Sequence, residues 1–275
     1  MFCGVELAAR IERVETELIE KGSAAAATRL GTGSGFVIPI AGGVAACAED
    51  GSPLNKVAGL GFAGVPDPAE LDEIERLFAA RGAPVQAEVS QLGDPGVAEL
   101  LTTRGYRLVS FENVLGLELH GDRTAESADG VDVSPSGESE FDTWLDAVAT
   151  GFAHPDTQGV ASHEEFPAEI IANAMRDLTG AAGIRRYLAR RTGAVAGGAS
   201  LRMSGGVAQL TGAATLPEHR RHGVQSALLS ARLAEAARGG CDIAVITTQP
   251  GSKSQQNTQR LGFALLYTRA ILVKD

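Results

Sequence analysis

The stretch best placed to do chemistry is His219-Arg-Arg-His-Gly-Val-Gln-Ser226, in which Gly223 stands between an arginine pair and a run of residues at helical spacing. Before it, residues 207–216 are apolar, small and β-branched, and they close on Pro217, which has no N–H to give a ladder. After it, Val224, Ala227, Leu228, Ala231 and Ala234 recur on one helical face. The pattern predicts strand, turn and helix, with Gly223 at the helix start. The first N–H groups of a helix have no intrahelical acceptor and point outward, and a glycine there lets a ligand come close to the backbone. Such a junction can cradle a phosphate. A plain turn also uses glycine, so the stretch alone does not separate the two.

The elements that must position this junction follow from hydropathy. Residues 4–21 pattern as an amphipathic helix, followed by a Gly/Ser/Ala-rich connection. Strands are expected at 35–40, 43–47 and 56–62, a helix at 68–80, a strand at 85–89, a short helix near 97–103 and a strand pair across 106–119. Residues 121–130 are polar without apolar period and read as a linker. Beyond it come a strand at 131–133, helices at 141–149 and 163–178, and strands at 184–189, 194–203 and 207–216. After the cradle helix, Cys241–Thr248 reads as a buried strand, and a short helix ends at Gly262, which suits a left-handed cap.

An internal repeat organises the chain. Val57-Ala-x-Leu-x-x-Ala63 returns as Val207-Ala-x-Leu-x-x-Ala213, and Gly105-Tyr-Arg-Leu108 as Gly262-Phe-Ala-Leu265. Between these markers Pro66 and Arg81 are 15 positions apart and Pro217 and Arg238 are 21 apart. The missing six fall at the cradle. In its place the first copy has Val65-Pro-Asp-Pro-Ala-Glu-Leu71, whose prolines remove N–H donors and whose Asp67 and Glu70 repel phosphate. Only the second copy is expected to hold an anion.

A length of 275 residues suits two domains, and 44% hydrophobic with 21% charged residues suits a globular chain with sizeable cores. The net charge of −10 argues against nucleic acid or an anionic membrane surface as partner, and fits a cationic one better. Cys3, Cys47 and Cys241 are scattered without metal-ligand spacing, so no metal is expected and free thiols in a cytoplasmic setting are. No segment reaches the roughly 20 apolar residues that span a bilayer, and no signal peptide is read at the N-terminus.

The pattern Arg220-x-x-Gly223-x-Gln225 after Leu216-Pro-Glu, together with the later Asn257 and Leu261-Gly-Phe263, resembles the acyl-CoA loop and following helix of the GNAT superfamily of N-acetyltransferases. The resemblance covers about residues 131–275, with the first half resembling a degenerate copy. It implies an α/β fold of two tandem GNAT-like domains, each a mixed central sheet flanked by helices: 1–120, the linker 121–130, and a catalytic 131–275. It further implies acetyl-CoA as cosubstrate and a small-molecule or peptide amine as acceptor; a homodimer is a further expectation. The family pattern has a small residue where Gln225 stands, and this side chain points either away from the cofactor or toward it as an extra donor.

Carried over by the resemblance, Ala214 and Leu216 pair backbone groups with the pantetheine arm. The amides of Arg221, His222, Gly223, Val224, Gln225 and Ser226 hold the pyrophosphate, Arg220 and Arg221 add charge, and Asn257 contacts the pantetheine or the acyl end. A strand N–H near Ala213 or Ala214 serves the thioester oxygen. An amine of reference pKa about 10.4 must lose a proton before it attacks. The strand before the cradle has no carboxylate, which leaves His154, Asp156, His163, Glu164, Glu165 or water as proton acceptor. Thr258 stands where the family places a tyrosine acid. Trp144 and Phe152 are candidates for an acceptor wall or for core. Non-catalytic acyl-CoA binding and a different phosphate ligand remain the alternatives.

Overall fold

The computed structural model describes the chain apart from residues 32, 122, 156, 157 and 161–165. In order it runs α1 (Val5–Leu30), β1 (Phe36–Ile40), β2 (Gly43–Cys47), β3 (Lys56–Ala58), α2 (Pro68–Ala79), β4 (Val85–Ser90), α3 (Pro95–Thr103) and β5 (Arg107–Glu118). It continues with β6 (Val131–Pro135), α4 (Phe141–Ala153), α5 (Ala168–Ala181), β7 (Arg185–Arg191), β8 (Ala194–Ser204), β9 (Val207–Thr215), α6 (Val224–Arg238), β10 (Ile243–Thr248), α7 (Lys253–Arg260) and β11 (Ala264–Lys274).

Most expected elements form where the hydropathy places them. Four differ: the helix expected at 163–178 runs Ala168–Ala181 with Pro167 at its start, residues 163–165 of that expectation lying outside the described ones, and the other three differ as follows. The Gly/Ser/Ala connection is helical, because Ala24–Ala27 are strong helix formers and Gly22 lies so close to Leu178 and Leu54 that an added Cβ would meet them at 2.6 and 2.9 Å. The strand expected to run to residue 62 stops at Ala58, where Gly59 turns to φ 77° against Thr16. The expected strand pair across 106–119 is one strand of 12 residues. The linker is laid against α6: Glu126 N–H donates to Ser230 Oγ at 2.7 Å. Among the described residues no helix is long and apolar enough to cross a membrane, and Cys3, Cys47 and Cys241 are free and buried.

The repeat is visible in three dimensions. β3 pairs in parallel with β4 through Val57↔Ala87, and β9 pairs in parallel with β10 through Val207↔Ile243, so the repeated Val-Ala begins the parallel step in both copies. Gly105 and Gly262 both take positive φ, 89° and 92°. The next amide closes the helix end in the same way, Tyr106 onto Leu101 at 3.0 Å and Phe263 onto Thr258 at 3.2 Å.

The two copies are not side by side as separate sheets. The strand order is β1-β2-β3-β4-β11-β5-β10-β9-β8-β7-β6. β11, the last strand of the second copy, pairs with β4 of the first, and β5, the last strand of the first copy, pairs with β10 of the second. The exchanged strands also pair with each other over most of their length. Helices α2 and α3 cover one core with Leu71, Ile74, Phe78 and Leu101 fully buried. Helix α6 covers a second core on Val224, Leu228, Leu229 and Leu233.

Helix α1 lies across the opposite sheet face and bridges both copies with a polar network. Glu17 pairs with Arg202 at 3.0 Å, Glu15 accepts from Gln209 at 2.8 Å, and Glu12 pairs with Arg269 of β11 at 2.8 Å. Arg29 at its far end pairs with Asp177 of α5 and Glu49.

Because each copy's sheet contains the other's last strand, a cut between them removes a central strand from both. Residues 1–120 and 121–275 produced as separate polypeptides are each expected to show a collapsed, poorly dispersed amide spectrum. Co-expression is expected to recover a folded 1:1 complex. A dispersed spectrum from either fragment alone contradicts this.

Candidate functional site

The parallel pair β9–β10 opens partway along. Its register covers only Val207↔Ile243, Ala208↔Ala244 and Val245↔Gln209, while β9 runs on to Thr215 and β10 to Thr248. β10 stays paired with β5 to Thr248↔Asn113, and β9 stays paired with β8 to Thr215↔Gly197, so the ends diverge and leave a gap between them.

A bulge shapes the β9 wall. Gly198 pairs with Ala214 and Ser200 with Thr211, so two residues of β9 oppose one of β8. Gly212, at φ 55°, makes the kink, and a Cβ there would meet Ser200 Oγ at 2.7 Å. Arg232 of α6 donates to two carbonyls at the bulge, one of which, Thr211 O, also accepts from Ser200 Oγ at 3.0 Å. The Arg232 Nη1 lies 2.9 Å from Ser200 O and 3.3 Å from Thr211 O, and its Nε 3.1 Å from Leu228 O. Burial without a carboxylate beside it pushes this guanidinium down to about 10, so it is still charged at neutral pH.

The cradle follows directly. A short 3-10 turn at Pro217–His219 leads to Arg220, then Arg221 at φ 64° and Gly223 at φ 78°, and α6 begins at Val224. Among the described residues, no protein acceptor takes the amides of Arg221, His222, Gly223, Val224, Gln225 and Ser226. Amides left without acceptors at a helix start, with left-handed residues at Arg221 and Gly223 beside them, form an anion-binding concavity. The corresponding helix α2 of the first copy has no such opening. Asp67 accepts from Ala69 N–H at 2.8 Å, Glu70 closes the capping box on Asp67 N–H, and Pro68 has no amide hydrogen. Its strand gap is closed too, by Asp94 N–H onto Gly61 O at 2.8 Å.

Other expected site residues are placed as follows. Arg221, His222 and Ser226 are exposed, and Val224 is core at 1% exposure. Arg220 donates to the carbonyl of His154, which ties the cradle to the end of α4. Ala214 packs against Gly151 of α4, where an added Cβ would lie 2.4 Å from its own. Leu216 uses its N–H on Ala196 O at 3.0 Å and its carbonyl on His219 N–H at 2.9 Å. Gln225 turns sideways and accepts from the Asn257 amide, so α6 and α7 are joined across the cleft. Gly223 carries a second constraint: a Cβ on it would lie 2.6 Å from Ala128 of the linker.

The other expected residues of the acceptor side are placed as follows. Thr258 is 0% exposed and its hydroxyl lies 2.8 Å from Ser254 O and 3.0 Å from Gln255 O. The His154 ring sits 2.9 Å from Thr150 O. Trp144 is core, donating to Ala199 O at 3.1 Å, whereas Phe152 is exposed. Asp156, His163, Glu164 and Glu165 lie outside the described residues.

The far wall comes from the exchanged strands. Asn113 of β5 accepts from Thr268 of β11 at 2.9 Å, and Thr248 beside it has a buried hydroxyl without a partner among the described residues. On the face toward α1, Glu112 stands one residue beyond the point where β10 ends, 3.7 Å from Arg269 Nη1. Burial and the carboxylate of Glu88 raise it to about 7, against the opposing pull of Lys56 and Arg269. No motif in residues 107–118 marks these positions, because they join the site only through strand exchange.

The architecture that carries the diverging pair, the bulge and the open helix start is shared with solved GCN5-related N-acetyltransferases. Residues 150–263 match the model of the "Acetyltransferase (GNAT) family". The whole chain is similar to a GCN5-related N-acetyltransferase from Kribbella flavida, with 24% identity, TM-score 0.64, and 92% of this chain and 95% of that one covered. A tandem GNAT protein from the clavulanic acid biosynthesis pathway gives 16% identity and TM-score 0.60, with 96% and 95% covered. A GCN5-related N-acetyltransferase from Sphaerobacter thermophilus gives 15% and 0.58, with 96% and 93% covered. No curated protein sequence matches.

The bulge depends on Arg232. Arg232→Met keeps the apolar stem but takes the side-chain donor from Ser200 O, while Thr211 O keeps Ser200 Oγ; a buried carbonyl that loses its donor costs about 1–3 kcal/mol. Urea unfolding is expected to show a loss of about 1–3 kcal/mol, with the midpoint moved and the slope unchanged.

Proposed function

We propose that the chain binds acetyl-CoA at the mouth of the β9–β10 gap and transfers the acetyl group to an amine of a small molecule or peptide. The observation that carries this reading is the row of six amides at 221–226 without a protein acceptor among the described residues, beside a gap of diverged strands, set against the capped and closed counterpart in the first copy. In this reading the pyrophosphate lies on those amides. Arg220 and Arg221 add positive charge, Ala214 lies along the pantetheine arm, and Asn257 keeps one amide hydrogen and its carbonyl for the cofactor beside Gln225.

Acetyl-CoA supplies an activated carbonyl. The amine nitrogen attacks that carbon, the C–S bond breaks, and the thiolate leaves as the amide forms. A backbone amide at the Gly212 bulge serves the oxyanion. Glu112 accepts the proton from the amine at the open end of β10. Thr258 donates inside its own helix, so the departing thiolate takes its proton from water. The acidic surroundings of Glu112, with Glu12, Glu15 and Glu88 against Lys56 and Arg269, suit a cationic amine approaching from the α1 face.

Calorimetric titration with CoA is expected to give a single site, weakened about tenfold or more in Arg220→Ala plus Arg221→Ala, since a charge-assisted contact contributes about 1.5–3 kcal/mol. Wild-type affinity in that double variant removes the two arginines from the site, and no binding of CoA by the wild-type chain refutes the cradle. Tight binding with no thiol release across a panel of amines favours a non-catalytic acyl-CoA-binding protein instead.

A base must be deprotonated to act, so kcat/KM is expected to rise with pH through an apparent value near 7. In Glu112→Gln that limb is expected to disappear, with kcat down about 10²-fold or more and CoA affinity unchanged. An unaltered pH profile removes Glu112 from the mechanism.

A further inference from the structure

A second cavity lies at the opposite end of α6 from the cradle, about 16 Å along the helix at 1.5 Å per residue from Val224 to Glu235. Its volume is about 520 Å³, and it is walled by the end of β6, the start of β7, the end of α5 and the end of α6. Three of its lining side chains carry a buried polar atom without a partner among the described residues: Ser136 Oγ, Thr179 Oγ1 and Arg186 Nε. They come from three separate segments of the chain. Native structures pair most buried polar atoms, so three orphans lining one cavity call for a common partner.

Their chemistry restricts that partner. Arg186 Nε can only donate, and both hydroxyls can donate. The Arg186 side chain is only 10% exposed and is held rigidly. Its Nη2 lies 2.9 Å from Glu138 Oε2 and 3.2 Å from Gly137 O, and its guanidinium sits 4.8 Å from the centre of the Phe141 ring. Ser136 is fixed by its own N–H, 2.8 Å from Arg186 O. Among the lining residues the charges balance, since Arg186 faces Glu138 and Arg185 pairs with Glu235, which Arg238 outside the lining also meets at 2.6 Å. A balanced site with free donors accommodates one negative charge better than several. Pro135, Ile184 and Tyr187 add apolar wall, and the volume is that of a small-molecule site.

We propose that this cavity binds a small organic monocarboxylate with an apolar body, its oxygens on Arg186 Nε, Ser136 Oγ and Thr179 Oγ1. The site is independent of the acyl-CoA reading, and its test uses no acyl transfer. The full chain is titrated with benzoate, butyrate and inorganic phosphate, each against sodium chloride of matched ionic strength, while the thermal midpoint is followed. Benzoate and butyrate are expected to raise the midpoint saturably, and phosphate is not.

Ser136→Ala and Thr179→Val each remove an unpartnered hydroxyl, so the free protein is expected to melt at or above the wild-type temperature. The half-saturating benzoate concentration is expected to rise about tenfold in each. Saturation-transfer NMR on benzoate gives a second readout that does not depend on melting. No saturable response to either carboxylate, or an equal response in both variants, overturns the site. A phosphate response as strong as that of benzoate overturns the carboxylate assignment.

Discussion

A guanidinium without access to water governs how this molecule is put together. Arg269 lies on β11, 2% exposed, in the middle of an eleven-stranded sheet. An isolated charge there would cost several kcal/mol. Glu12, also 2% exposed, offsets it at 2.8 Å and accepts from the buried Tyr267 hydroxyl at 2.6 Å. Glu12 belongs to α1, so the helix must lie over the exchanged strands. Once α1 is fixed there, Glu17 meets Arg202, Glu15 meets Gln209, and Arg29 meets Asp177 and Glu49. Breaking a buried pair of this kind by removing one partner costs about 3–5 kcal/mol, so the helix is less a cover than a clasp.

Much of the second copy is legible in its residues because its determinants are local. Pro217 ends a strand, Gly223 needs positive φ, and Val224 to Ala234 lay down one apolar face, all within a single strand-turn-helix step. The contrast with the first copy is equally local. Asp67, Pro68 and Glu70 are a capping box by type and spacing, and a capped helix start has no amides left for a ligand. Gln225 is a partial case: its oddity shows in the motif, but its partner Asn257 is 32 residues away and only the fold brings them together.

What is not legible depends on distance along the chain. Glu112 and Asn113 sit in a strand with no motif, and they reach the β10 end only because β5 pairs with β10 and not with a strand of its own copy. Arg232 looks like one more surface arginine on a helix until the fold sets it against two carbonyls at the Gly212 bulge. Thr258 shows the reverse. Its place in the motif invites a chemical role, while complete burial gives it a hydrogen bond back into α7.

The exchange of β5 and β11 bears on how such a chain can change. After a duplication, a copy that has lost its own cleft is ordinarily free to shrink or vanish. Here the first copy supplies a central strand to the second and takes one in return, so deleting it would open the sheet beside β10. The arrangement acts as a ratchet: the worn half is retained for the strand it lends, and selection on the second half's cleft reaches through that strand into residues far upstream.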